Sequence, residues 1–204
     1  MDTRANYKER AINSLSGKWG TACIATLIMY AIMEGVSLSL TLPMGDNIQL
    51  STSTSIIWSL LCLPLEWGFA AFFLRLIRNE DISYGRLFDG YKDFARIFCT
   101  KLLYHVYVML WSVLFIIPGI IKMYSYAMTD FILKDEPELK NNAAIEKSMQ
   151  MMEGHKTELF LIDLSLIGWL LLSLLTLGLG LLLLLPYYES IHAHFYEDLK
   201  KEQV

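Results

Sequence analysis

IFCTKLLYHVYVMLWSVLFIIPGIIKMYSYAMTDFIL, residues 97–133, is the stretch on which the reading of this chain turns. It is apolar for about 37 residues, which as one helix would run roughly 55 Å at 1.5 Å per residue. That is far more than the roughly 30 Å hydrocarbon core of a bilayer. Pro118-Gly119 lies in its middle. Proline disrupts a helix interior and glycine favours turns. The stretch therefore reads as two membrane-spanning helices, about Ile97–Ile117 and Gly119–Leu133, closed into a tight hairpin. The second is short, roughly 22 Å by the same rise, so a re-entrant pair is the alternative.

Working outward, the same pattern recurs. Before this hairpin lie spans at about Trp19–Leu42 and Ser55–Ile77, separated by the turn-rich Pro43-Met44-Gly45-Asp46-Asn47. After it lies Leu159–Tyr196, which the glycines of Thr176-Leu177-Gly178-Leu179-Gly180 divide into about Glu158–Leu175 and Leu179–Tyr196. The expected fold is all-α: one polytopic transmembrane bundle over residues 1–204, with six spans in three hairpins. Composition agrees, with 54% apolar residues and a mean hydropathy of +0.40, against roughly 45–50% apolar in soluble domains.

Charge tests the count independently. With six spans and a cytosolic N-terminus, the outward segments are about 43–54, 118–119 and 176–180, and none holds Lys or Arg. Of the 17 Lys and Arg, only Lys122 falls on the outer side. Four spans would put Lys134 to Lys156 outside, against the positive-inside rule. Both termini are expected in the cytosol. The first span runs about 24 residues, longer than the apolar core of a cleavable signal peptide, and Met1-Asp2 does not suit myristoylation.

Each hairpin is preceded by a segment patterned as a cytosolic amphipathic helix. These are about Arg4–Ser16 (Tyr7, Ala11, Leu15 on one face), Tyr84–Arg96 (Leu87, Tyr91, Phe94) and Asn142–Glu153 (Ile145, Met149, Met152, with Asn141 as N-cap). Each ends near Gly-x-Lys, at Gly17-Lys18, Gly90-Tyr91-Lys92 and Gly154-His155-Lys156, and glycine is the usual helix C-cap. The pattern suggests three repeated units.

The stretches YKERAINSLSGKWGTA (7–22), LFDGYKDFARIF (87–98), LFIIPGIIKMYSYAMTDFILKDEPEL (114–139), AIEKSMQMMEGHKTELFLIDLSLIGW (144–169) and LTLGLGLLLLLPYYES (175–190) resemble a family of small bacterial integral membrane proteins. It is catalogued as domain of unknown function 975. The resemblance implies a protein of the bacterial cytoplasmic membrane. It implies no activity and no catalytic residue. The Ile-Pro-Gly hairpin is also similar to membrane domains attached to some glycerophosphodiester phosphodiesterases.

Ionisable groups within a bilayer are costly and mark either function or an interhelical clamp. The deep ones are Glu34, Glu66, His105, Lys122, Asp163 and Glu189, with His192 and His194 following near the inner end of the last span. The candidate polar site is Glu66, Lys122, Glu34, Glu189 and His192, with a Glu66–Lys122 ion pair at its centre. Asp130 and Asp163 read as helix caps or anchors, and the tyrosines and tryptophans as interface belts. Glu189-x-x-His192 puts both side chains on one helical face, but a di-metal bundle needs two such motifs and two further glutamates. No metal, cofactor or disulfide is expected from Cys23, Cys62 and Cys99 or from these residues. There is no GxSxG, HExxH, GxGxxG or phosphate-binding glycine loop, so no enzyme is expected. The lipid bilayer is the expected partner, with a docking protein or further copies of the chain at the inner surface. Nucleic acid is not, because there is no basic stripe. The expected role is a non-catalytic interaction or accessory protein of the membrane; the alternative is binding or transport of a small amphiphile or ion through the polar centre.

Overall fold

A computed structural model describes residues 4–41, 48–176 and 178–202. Among these residues every regular element is helical and there is no strand. The order is α1 (Arg4–Leu15), α2 (Trp19–Tyr30), a π-helical turn (Ala31–Gly35), α3 (Val36–Thr41), α4 (Ile48–Leu61), α5 (Leu63–Ile77), a 3-10 segment (Tyr84–Tyr91), α6 (Phe94–Leu114), α7 (Ile116–Ser125), α8 (Thr129–Asp135), α9 (Asn142–Met151), α10 (Lys156–Leu164), α11 (Ile167–Leu175) and α12 (Leu181–Glu202). Two helices, Trp19–Ser39 and Phe94–Leu114, are long and apolar enough to cross a membrane. Thr52–Leu61 and Leu63–Ile77, which meet at a 42° bend, are long and apolar enough only when taken together, as one broken span or a re-entrant pair. The bend falls at Cys62 because Pro64 follows in the first turn of α5 and has no N–H to return to the preceding turn.

α5 is the centre of the molecule. From Leu63 to Leu76 nearly all of its side chains are buried, so it is apolar all round, as a core helix must be. Leu65, Phe69, Phe72 and Phe73 face α2, while Trp67, Ala70, Ala71 and Leu74 belong to a larger core with α1, α8 and α12. The predicted apolar face of α1 is realised in full: Tyr7, Ala11 and Leu15 are completely buried. Tyr7 packs its ring 5.4 Å from that of Phe195 on α12.

The second amphipathic helix expected from the sequence does not form as one element. Tyr84–Tyr91 winds as a 3-10 segment and α6 starts only at Phe94. Leu87 is buried, but Tyr91 and Phe94 are exposed. The cause is backbone contact with α5. A Cβ on Gly68 would lie 1.9 Å from the Leu87 carbonyl oxygen, and one on Gly90 would lie 2.3 Å from the Pro64 carbonyl oxygen. Gly90 thus serves close approach rather than a C-cap. Gly17 and Gly154 do adopt the left-handed conformation expected after a helix, at φ 75° and 82°. Asn141 precedes α9 but makes no side-chain cap, and its backbone N–H donates to Thr100 Oγ1 at 2.8 Å.

The corner in the deciding stretch also differs in detail. The chain turns at Phe115, which is extended (φ −157°, ψ 139°), and Pro118 lies inside the first turn of α7, where its missing N–H does no harm. Gly119 then lets α7 lie directly on α6, since a Cβ there would come within 2.3 Å of Ser112 Oγ and 2.8 Å of Ser112 Cα. Gly180 does the same against Ser173, at 2.7 and 2.8 Å. Gly119–Leu133 is not one helix. It breaks between Ser125 and Thr129, and the buried Ser148 of α9 closes the break: its hydroxyl accepts from the Met128 N–H (3.1 Å) and donates to the Ser125 carbonyl (3.0 Å). The segment from Glu158 to Leu175 breaks likewise at Ser165-Leu166, where the Ser165 hydroxyl bonds the Ile162 carbonyl. The expected turn at Pro43–Asn47 lies outside the described residues, as does Leu177.

Candidate functional site

Where α2, α5, α6, α7, α8, α10 and α12 converge they leave a cavity of about 420 Å³. Its wall is apolar in bulk (Met29, Met33, Phe69, Leu185) but is studded with ionisable side chains. Four of the five predicted site residues line it: Glu34, Glu66, Glu189 and His192. Glu34 arrives on the π-helical turn, a one-residue irregularity that such sites often use. Glu66 sits in the first turn of α5, and Glu189 and His192 share one face of α12, as their spacing predicted.

Lys122 is not among them. Its ammonium stands 5.1 Å from the Trp111 ring centre and 5.9 Å from that of Tyr126, a cation–π position. The cation facing Glu66 is Lys101, so the predicted Glu66–Lys122 pair does not form. Lys101 is buried, with Nζ 2.9 Å from Asp130 Oδ2 and 3.5 Å from Glu66 Oε2. His105, one turn on, donates from Nδ1 to the Lys101 carbonyl (2.8 Å), which leaves Nε2 4.0 Å from Glu66 Oε2. Lys101 reads as an inner-surface cation because only seven residues separate it from the start of α6. Its spacing to His105 was the available signal: i, i+4 on one helical face.

A second pole lies across the cavity. Asp163 Oδ1 is 2.9 Å from His192 Nε2, and Asp163 Oδ2 accepts from the Tyr124 hydroxyl at 3.0 Å. The Tyr188 ring lies 4.1 Å from that of His192. Asp130 and Asp163 thus line the cavity and cap no helix, and Tyr124 and Tyr188 line it rather than forming a belt. Glu189 stands between the two poles and has no hydrogen-bond or ion-pair partner among the described residues. Asp130 Oδ1 is likewise shut off from solvent with no hydrogen bond. His194 faces away, toward Ser14 (2.7 Å) and Arg10 (3.3 Å) on α1.

At the ends of α5, α8 and α12 an ion-pair clasp closes the bundle. Arg78 grips Asp135 with both terminal nitrogens (2.6 and 2.7 Å) and gives its Nε to Glu197 (2.6 Å). Lys200 (2.6 Å) and the Tyr196 hydroxyl (3.1 Å) also donate to Asp135. Burial alone would raise the Asp135 carboxyl, but the hydrogen bonds and charge of Arg78 and Lys200 outweigh it and hold it well below the usual carboxylate range. Arg78 is held correspondingly above its ordinary value, chiefly by its bond to Asp135. Arg10 and Asp198 pair in the same way between α1 and α12, at 2.5 Å.

No curated protein and no solved structure matches the chain. The family model described as "Protein of unknown function (DUF975)" matches residues 1–129 and 113–203, and the chain belongs to that family.

Proposed function

We propose that the protein is a non-catalytic, multi-pass protein of the bacterial cytoplasmic membrane that binds a small amphiphile or ion in the central cavity. The observation that carries this reading is a charged cavity walled by helices whose outer faces are apolar. Val113, Ile116 and Leu175 are 77%, 76% and 81% exposed, alongside Met109, Leu114, Trp169 and Leu172. Large apolar side chains exposed in this number mark a membrane or an interface. Six crossings account for the helices: α2 with α3, α4 with α5, α6, α7 with α8, α10 with α11, and α12. Residues 116–133 and 156–175 run about 18–20 residues each, with one break apiece, close to the length that roughly 30 Å of hydrocarbon needs. The Ser112–Gly119 and Ser173–Gly180 corners support two hairpins of one design. The clasp around Asp135 and the basic segments then share the cytosolic side with both termini. In this setting the acids of the cavity are expensive to bury, which favours a ligand role over a purely structural one.

The second role, an accessory protein that docks a partner through its inner-surface helices, is favoured by the ring ladder Phe88–Tyr91–Phe94–Phe98, exposed at its first three rings and half-buried at Phe98, with centroids 6.4, 6.4 and 5.0 Å apart. Native mass spectrometry of the full chain released from mild detergent separates the two. A stoichiometric adduct on the wild type and Lys122→Met, lost in Glu66→Gln and Lys101→Met, supports binding and gives the ligand mass. Spectra without a specific adduct in all four proteins support the accessory role.

A further inference from the structure

The side chains around the cavity indicate what kind of ligand it takes. Lys101 is already committed to Asp130 and Glu66, and His192 to Asp163. Two carboxyl groups of the wall, Glu189 and Glu34, make no ion pair among the described residues, although the Lys101 and His192 charges reach Glu189. An anionic ligand would therefore add charge of the sign the cavity already holds in excess.

The wall is also ringed by aromatic side chains: Tyr30, Tyr104, Tyr124 and Tyr188 line it with Phe69 and Phe131. Tyr104 already faces a cation, with the Lys101 ammonium 5.3 Å from its ring centre. Tyrosine faces attract cations, and more strongly away from water. The carboxyls are spread around the space rather than gathered at a point. Among the described residues no three His, Cys, Asp or Glu side chains are placed to hold a metal ion. A bare metal ion therefore lacks a coordination set, whereas a cation about as large as a methylated amine suits the space. The apolar part of the wall, Met29, Met33 and Leu185, suits a hydrocarbon arm.

We infer that the cavity takes an organic ammonium ion bearing an apolar arm, with Glu189 as its counter-charge and the tyrosine rings as its cage. This rests on the binding reading above.

The test is thermal unfolding of the full chain in mild detergent against three probes of similar size. These are benzyltrimethylammonium, its uncharged carbon isostere neopentylbenzene, and benzenesulfonate. A ligand that binds only the folded state raises Tm with concentration. The cation alone should do so. Glu189→Gln should weaken its apparent affinity about 10–100-fold, the worth of one close charge–charge contact away from water. Tyr104→Leu should weaken it about 2–5-fold. If Glu189→Gln does not fold, Glu34→Gln, on an exposed side chain, takes its place with a smaller loss expected. Binding of dihexanoylphosphatidylcholine in place of the bare cation would assign the ammonium to a lipid headgroup, and binding of the bare cation alone to a free amine.

Equal shifts from neopentylbenzene, or wild-type affinity in every folded variant, would overturn the ammonium assignment and leave a binding cavity of another kind. A shift from benzenesulfonate alone would reverse the sign of the ligand. No shift from any probe, with no adduct in native mass spectrometry, would overturn both the assignment and the binding reading.

Discussion

Arg78→Met removes the arginine that ties α5 to α8 and α12 while keeping much of its apolar stem. Asp135, its main partner, has a side chain only 7% exposed and keeps Lys200 and Tyr196 as donors. Stripping one partner from a buried pair costs about 3–5 kcal/mol when the other is left bare. Here Lys200 remains and the Arg78 side chain is 22% exposed, so solvent screens part of the loss. The expected destabilisation is about 2–3 kcal/mol, or about 4–12 °C in Tm for a chain of this size. Arg78→Lys should recover only part of it, because an ammonium cannot grip both carboxylate oxygens as the guanidinium does. Acid adds a second readout. The Asp135 carboxyl is depressed in the folded protein, so its stabilisation is present above the unfolded-state pKa of about 3.9 and is lost as pH falls below it toward the folded value. Arg78→Met removes much of that depression, so the acid limb of its Tm–pH curve below pH ~4 should be flatter than the wild type's. The assay is thermal unfolding in mild detergent across that range. A variant within about 1 °C of wild type, with an unchanged acid limb, would refute the clasp.

Four further outcomes are expected from the same assay. Gly68→Ala should destabilise by at least about 1–3 kcal/mol, because its Cβ would lie 1.9 Å from the rigid Leu87 carbonyl oxygen and no rotamer can relieve that. Gly119→Ala should behave similarly and be relieved in part by Ser112→Gly, which removes the Oγ at 2.3 Å but not the Cα at 2.8 Å. Ser148→Ala should cost about 1–3 kcal/mol by leaving the Met128 N–H and the Ser125 carbonyl without their bridge, whereas Lys122→Met should cost no more than about 1 kcal/mol.

The features legible in the sequence are those set by periodicity and charge. The face Tyr7–Ala11–Leu15, the placement of Glu189 and His192 on one side of α12, and the long apolar helix beginning at Trp19 all follow from local spacing. The kinks were harder to place. Pro118 marks the right neighbourhood, yet the corner falls at Phe115, because proline is tolerated in a first helical turn. The break at Ser125–Thr129 depends on Ser148, 20 residues beyond Met128, and no local pattern announces it. Glycines read as caps can instead be contact points, as Gly90 is, since both uses follow from the missing Cβ. The site divides on the same line. Single deep acids stand out in an apolar run, so Glu34, Glu66 and Glu189 could be named. Pairing is tertiary, and Lys101 reaches Glu66 through the angle between α5 and α6 rather than through any distance along the chain.

Cysteine accessibility in intact right-side-out vesicles tests the six-crossing bundle with its acidic cavity inside the membrane. Single cysteines are placed at Phe115, Leu179, Glu138 and Glu153 after Cys23, Cys62 and Cys99 are replaced. The six-crossing arrangement predicts that Phe115→Cys and Leu179→Cys react with a membrane-impermeant maleimide from outside, and that Glu138→Cys and Glu153→Cys react only after permeabilisation. Labelling of Glu138→Cys or Glu153→Cys in sealed vesicles would contradict it.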